Sequence, residues 1–185
     1  DIPLVHFSTD YVFGRDYDRD TPYVEGDTPG PISNYGESKL KGEQIIEKKM
    51  KKYFIIRTAY LFGTAGSLGK GGNIVESLIK KGRENGKLDV VDDQIITPTY
   101  TLDLAKQVSE LIQTKNYGLY HASSEGSVSI YNLAHKIFEY LNENIQINPV
   151  KSKDLQLPAD RPRYSVLENR RLKELGFNIM RPWEE

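Results

Sequence analysis

The stretch YFIIRTAYLFG, residues 53–63, decides how the rest of the chain is read. It is a run of aromatic and β-branched residues with little polar alternation, the pattern of a strand covered on both faces. Such strands sit in parallel sheets flanked by helices, so the run predicts helical sequence on either side of it. Upstream, residues 4–8 form a second short apolar run, and 11–34 follow as a polar loop rich in Asp, Gly, Pro and Tyr. From Tyr35 the pattern becomes helical: Asn34 reads as the cap, Glu37 as its capping-box partner, and Leu40, Ile45 and Ile46 as the apolar stripe. Lysines at 48–52 suit the negative end of that helix.

Downstream, Gly63 to Asn73 is a glycine-rich loop, followed by a helix at 74–82, a strand at 88–91, a helix at 101–113 and a strand at 118–123. Ser129 caps a helix over 130–141, residues 145–150 read as a strand, and the loop ADRPR (159–163) leads to a helix near 167–175 stopped by Gly176. The alternation predicts an α/β domain with a mostly parallel sheet, and a smaller lobe after about residue 64. There is no internal repeat and no low-complexity tract.

Composition narrows the function. With 25 basic and 26 acidic side chains in 185 residues, no overall field favours nucleic acid or an anionic membrane. Cysteine is absent, so disulfides and thiolate metal sites are excluded, and redox chemistry requires a borrowed cofactor. His6, His121 and His135 share no ligand spacing, and no metal site is expected. No apolar run approaches the ~20 residues needed to cross a bilayer, and the expected location is cytoplasmic.

NYGESKLKGE, residues 34–43, places Tyr35 and Lys39 four positions apart, hence on one helix face. An ammonium beside a phenol favours the ionised phenol, a pairing suited to giving a proton to a carbonyl oxygen. Tyr and Lys are common on helix surfaces, so the spacing alone does not decide. The pair follows a strand ending in Ser8 and Thr9, and in parallel sheets sites gather at the carboxyl ends of strands.

These features, with STDYVFG (8–14), PYVEGDTPGPISNYGESKLKGE (22–43), IIRTAYLFG (55–63), DDQIITPTYTLDLA (92–105), GLYHAS (118–123) and RPRYSVLENRRLKELG (161–176), resemble the extended short-chain dehydrogenase/reductases. Within them the chain is most similar to the dTDP-4-dehydrorhamnose reductases of the RmlD type. The resemblance implies a Rossmann-like doubly wound sheet, with 1–63 as its catalytic part and 64–185 as mixed core elements and a substrate-binding lobe. It also implies hydride transfer from NADPH or NADH to the 4-keto carbon of a dTDP-sugar, with a homodimer as the candidate assembly. Tyr35 would be the proton donor, Lys39 would lower its pKa and hold the nicotinamide ribose, and Thr9 would orient the carbonyl. Asp10, Tyr60, Asn73 and Arg161 would bind the sugar nucleotide, Tyr60 standing where relatives often carry tryptophan.

Tyr11 follows Asp10 where related dehydratases carry a glutamate, which argues against water removal. The family's opening glycine-rich turn for the dinucleotide has no counterpart here; GSLGKGG (66–72) lacks an early βαβ context and reads as a substrate-side loop. The chain therefore resembles the later part of a longer enzyme, beginning in mid-sheet, with MRPWEE short of the family's last helix. Two rival readings stand: a non-catalytic module like the regulatory subunit of methionine adenosyltransferase, and a nucleotide-sugar epimerase.

Overall fold

A computed structural model of the chain describes residues 2–64, 72–155 and 159–185. The elements are β1 (Leu4–Thr9), a 3-10 turn (Asp10–Val12), α1 (Asn34–Lys49), β2 (Tyr53–Thr58), β3 (Leu61–Phe62), α2 (Ile74–Asn85), β4 (Lys87–Val91) and β5 (Ile95–Ile96). There follow β6 (Thr99–Tyr100), α3 (Thr101–Ile112), β7 (Gly118–His121), β8 (Val128–Ser129), α4 (Ile130–Leu141), β9 (Gln146–Val150), a 3-10 turn (Ser152–Asp154) and α5 (Arg170–Glu174).

The central sheet has the order β1–β2–β7, all parallel, with Phe7 opposite Ile56 and Ile55 opposite Leu119. Its middle strand is the run that predicted it: Phe54, Ile55 and Ile56 are fully buried. Burial of each such side chain contributes about 1.5–3 kcal/mol. Period-two alternation separates the two faces. Phe54, Ile56 and Tyr120 pack with Leu104, Val108 and Leu111 of α3 and Leu172 of α5. Ser8 and Arg57 point to the opposite face, where Glu43 of α1 receives both. The sheet is thus α/β and wound on both sides.

A second core lies among α2, α4 and the parallel pair β4–β9, built from Leu88, Val90, Leu133, Ala134 and Phe138. Here α2 comes so close to α4 that a Cβ on Gly82 would clash with the Phe138 ring. A third cluster, with Val12, Phe13, Tyr23, Ala59 and Leu167, anchors the loop between β1 and α1.

Four details depart from the sequence reading. The cap of α1 is Ser33, not Asn34: Ser33 has extended backbone and accepts from the Gly36 amide at 3.2 Å, while Asn34 is already helical. Glu37 accordingly lies one place too far for a capping box and faces Lys41 at 3.9 Å; the capping box of the fold is Asn73–Glu76 at α2. The run 53–63 is not one strand, because Tyr60 has φ 41° and turns the chain between β2 and β3. One short pair, β5–β8, is antiparallel. The expected loop segment 66–71 lies outside the described residues.

Candidate active site

Thr9 ends β1 and caps the 3-10 turn, its hydroxyl accepting from the Tyr11 amide at 3.2 Å and donating to Asp10 Oδ1 at 3.0 Å. Asp10 is 2% exposed, and burial raises its pKa to about 7, the Thr9 hydroxyl opposing that rise. Asp10 Oδ2 and the Ser165 hydroxyl are both buried, close enough to interact, yet neither reaches hydrogen-bond geometry with a partner among the described residues. A buried carboxylate oxygen in that condition is a ready acceptor for a ligand hydroxyl.

The first turn of α1 is pressed against this 3-10 turn. A Cβ on Gly36 would collide with the Tyr11 carbonyl oxygen, so glycine at this position is what lets Tyr35 arrive beside Tyr11. The Tyr35 and Tyr11 rings meet edge to face with centroids 6.0 Å apart, and Tyr35 remains 49% exposed. One turn further on, Lys39 donates from Nζ to the carbonyl of Phe7 on β1. An ammonium has three donors, so this bond fixes Lys39 over the end of β1 and leaves two for a ligand.

Tyr60 closes the opposite side. Its hydroxyl lies 3.3 Å from that of Tyr11, and burial drives its pKa well above the ordinary phenol value. Its left-handed backbone costs a bulky residue on the order of 1–3 kcal/mol, which places strain next to the candidate site. Arg161 is exposed and near enough to both phenols to favour their ionised forms, so the ADRPR loop delivers a cation to this rim. Thr9, Asp10, Tyr35, Lys39, Tyr60 and Arg161 are therefore grouped around the end of β1. Asn73 plays a structural part at α2, where Oδ1 accepts from the Glu76 amide at 3.0 Å and Nδ2 donates to Gly63 O at 3.3 Å.

Sequence reasoning missed Gly36, Glu43, Arg57 and Ser165. Glu43 continues the Tyr35–Lys39 stripe at the next four-residue step, and Arg57 is a charge inside an apolar strand; either signal marks a buried ion pair. Among the described residues no group of acidic or histidine side chains could hold a metal. No described helix is long and apolar enough to cross a membrane.

The family model of the RmlD substrate binding domain matches residues 1–185. The chain belongs to that family. It is 35% identical over 187 residues to a dTDP-4-dehydrorhamnose reductase of Mycolicibacterium smegmatis, covering 100% of this chain and 56% of that protein. It is 39% identical to the spore coat polysaccharide biosynthesis protein SpsK of Bacillus subtilis, covering 98% and 61%. Among solved structures, the dTDP-4-dehydrorhamnose reductase of Bacillus anthracis in complex with NADP superposes with TM-score 0.90 at 42% identity, covering 98% of this chain and 62% of that one. A dTDP-glucose 4,6-dehydratase of the same organism, at 16% identity and TM-score 0.77, shares the fold. This RmlD-family chain spans about 60% of the length of these relatives.

Proposed function

We propose that this chain forms the catalytic and sugar-nucleotide side of a reductase that reduces the 4-keto group of a dTDP-6-deoxy-sugar, dTDP-4-dehydrorhamnose in the first instance. The observation that carries the reading is the accessible Tyr35 phenol, held over the end of β1 with Lys39 one turn below and Thr9–Asp10 beside it. Reduced nicotinamide, NADPH before NADH on the likeness to the NADP-bound relative, supplies the hydride when bound. The chain's residues suit its ribose end: Lys39 has donors beyond its bond to Phe7 and Tyr35 is half exposed, whereas the sequence carries no glycine-rich pyrophosphate turn after its first strand.

In this reading Tyr35 gives its proton to the carbonyl oxygen as that oxygen gains negative charge. Lys39 contributes a fixed positive charge that favours the phenolate left behind. Thr9 orients the carbonyl through its hydroxyl, which must then release Asp10 Oδ1. Asp10 offers its unpartnered oxygen to a sugar hydroxyl, Tyr60 with Tyr11 forms an aromatic wall, and Arg161 meets the diphosphate. Asn73 stands at the start of α2 to line the nucleoside side. The homodimer and the cytoplasmic setting are part of the same proposal.

The test is product analysis with the intact gene product, NADPH and dTDP-4-dehydrorhamnose. Reduction predicts one NADPH consumed per reduced sugar nucleotide formed. An isomerised sugar without net NADPH consumption would replace this reading by the epimerase, and inactivity with stable attachment to a larger enzyme would replace it by the binding module.

A further inference from the structure

Beneath Tyr35 and Lys39 of α1 lies a fully buried polar strut that the proposed chemistry does not use. Glu43, 2% exposed, accepts from Arg57 of β2 at both oxygens, Nε donating at 3.0 Å and 3.3 Å and Nη2 at 2.7 Å, and also accepts from the Ser8 hydroxyl of β1. Arg57, 3% exposed, points Nη1 at His121 Nε2 of β7 at 3.4 Å and stacks over Phe13, 5.1 Å from the ring centre. His121 Nδ1 lies 3.0 Å from the Tyr23 carbonyl. A guanidinium cannot accept and a carbonyl cannot donate, so His121 is neutral with its proton on Nδ1. Burial beside Arg57 agrees, lowering its pKa to about 3. One chain of directional bonds thus joins α1, all three sheet strands and the loop before α1.

The placement is specific. Tyr35, Lys39 and Glu43 occupy successive four-residue steps of one helical stripe. Lys39 is tied to Phe7, Glu43 to Ser8, and Thr9 is the next residue of β1. Apolar contacts let a helix slide or roll on a sheet, whereas a forked carboxylate–guanidinium pair fixes rotation and axial position together. We propose that Glu43 and Arg57 are positioning residues: they lock α1 in the rotation that presents Tyr35 and Lys39 to the end of β1. The proposal rests on the reductase reading for its kinetic consequence but not for its structural one.

The experiment compares, in the intact gene product, Glu43→Gln with the volume-matched pair Glu43→Leu plus Arg57→Met, which removes both charges and so leaves no unpaired charge to unfold the core. Three quantities are read: kcat and KM for the keto sugar, and hydrogen exchange along the chain. Expected in both variants is a fall in kcat of about 10- to 100-fold, the effect of a small misplacement, with KM nearly unchanged. Exchange should quicken over residues 34–40 while α2 and α4 keep wild-type protection. Wild-type kcat and unchanged exchange in a folded variant would overturn the proposal, as would faster exchange spread equally over α2 and α4. Should the wild type reduce no keto sugar, the functional reading fails by itself, and exchange at α1 still decides the positioning role.

Discussion

Two of the helix contacts in this molecule are held in different ways. Between α1 and the sheet, the contact centres on a buried ion pair with a neutral imidazole behind it, Glu43–Arg57–His121. Between α2 and α4 the contact is apolar, Gly82 against Phe138 with Leu133 and Leu88 nearby, and the ion pairs stay outside, Arg83–Glu143 at 2.6 Å by the helix ends and Lys151–Asp92 at 2.9 Å just past β9 and β4, partly or largely in solvent. Close apolar packing specifies geometry through shape, here the fit of Gly82 against the Phe138 ring. Buried charges gain little stability overall, and what the forked Glu43–Arg57 bonds add is direction. The directional device sits under the helix that carries Tyr35.

That contrast can be broken by mutation. Removing one partner of the buried pair should do the greatest damage: Arg57→Met alone leaves Glu43 charged and unpaired, a loss of about 3–5 kcal/mol by urea unfolding. In the apolar core, Gly82→Ala forces the Phe138 ring to move and should cost about 1–3 kcal/mol, with a smaller loss of kcat than Arg57→Met causes, since Tyr35 and Lys39 do not rest on that contact. At the surface, Arg83→Ala should leave the thermal midpoint within error of wild type. A ranking in which the surface pair outweighed the buried one would refute the comparison.

Asp10 sharpens it through pH. Its folded pKa of about 7 lies above the ordinary carboxylate value near 4, so in the intervening window the unfolded chain has released a proton that the folded chain keeps. Stability attributable to Asp10 therefore falls as pH rises from about 4 to about 7, by an amount on the order of 4 kcal/mol, and is level above that. Urea unfolding at several pH values should show this decline in the wild type and a flatter profile in Asp10→Asn. Parallel profiles for the two proteins would show that Asp10 titrates as an ordinary surface carboxylate.

Much of this was legible beforehand where one local rule acted alone. The apolar run at 53–58 gave the central strand, and Ser129 marked the start of α4 as placed. Tertiary context decided the rest. Asn34 and Ser33 are both good caps by type, and the choice of Ser33 goes with the tertiary placement of Gly36 against the Tyr11 carbonyl. The break at Tyr60 was hidden because its left-handed backbone contradicts what a tyrosine prefers; its strain is sustained by packing against two clusters and the hydroxyl contact to Tyr11. At the site, Tyr35, Lys39 and Thr9 carried a spacing to be seen. Glu43 and Arg57 lie 14 residues apart in different elements, and no spacing rule links them.

The proposed chemistry stands or falls on Tyr35, presented by α1 at the end of β1, as the proton donor. The most direct measurement is kcat for NADPH-dependent reduction of dTDP-4-dehydrorhamnose by the intact Tyr35→Phe variant, with circular dichroism and thermal midpoint recorded on the same sample. Loss of a general acid predicts a fall of about 10²- to 10⁴-fold in a protein folded as the wild type. An undiminished kcat in that folded variant would contradict it.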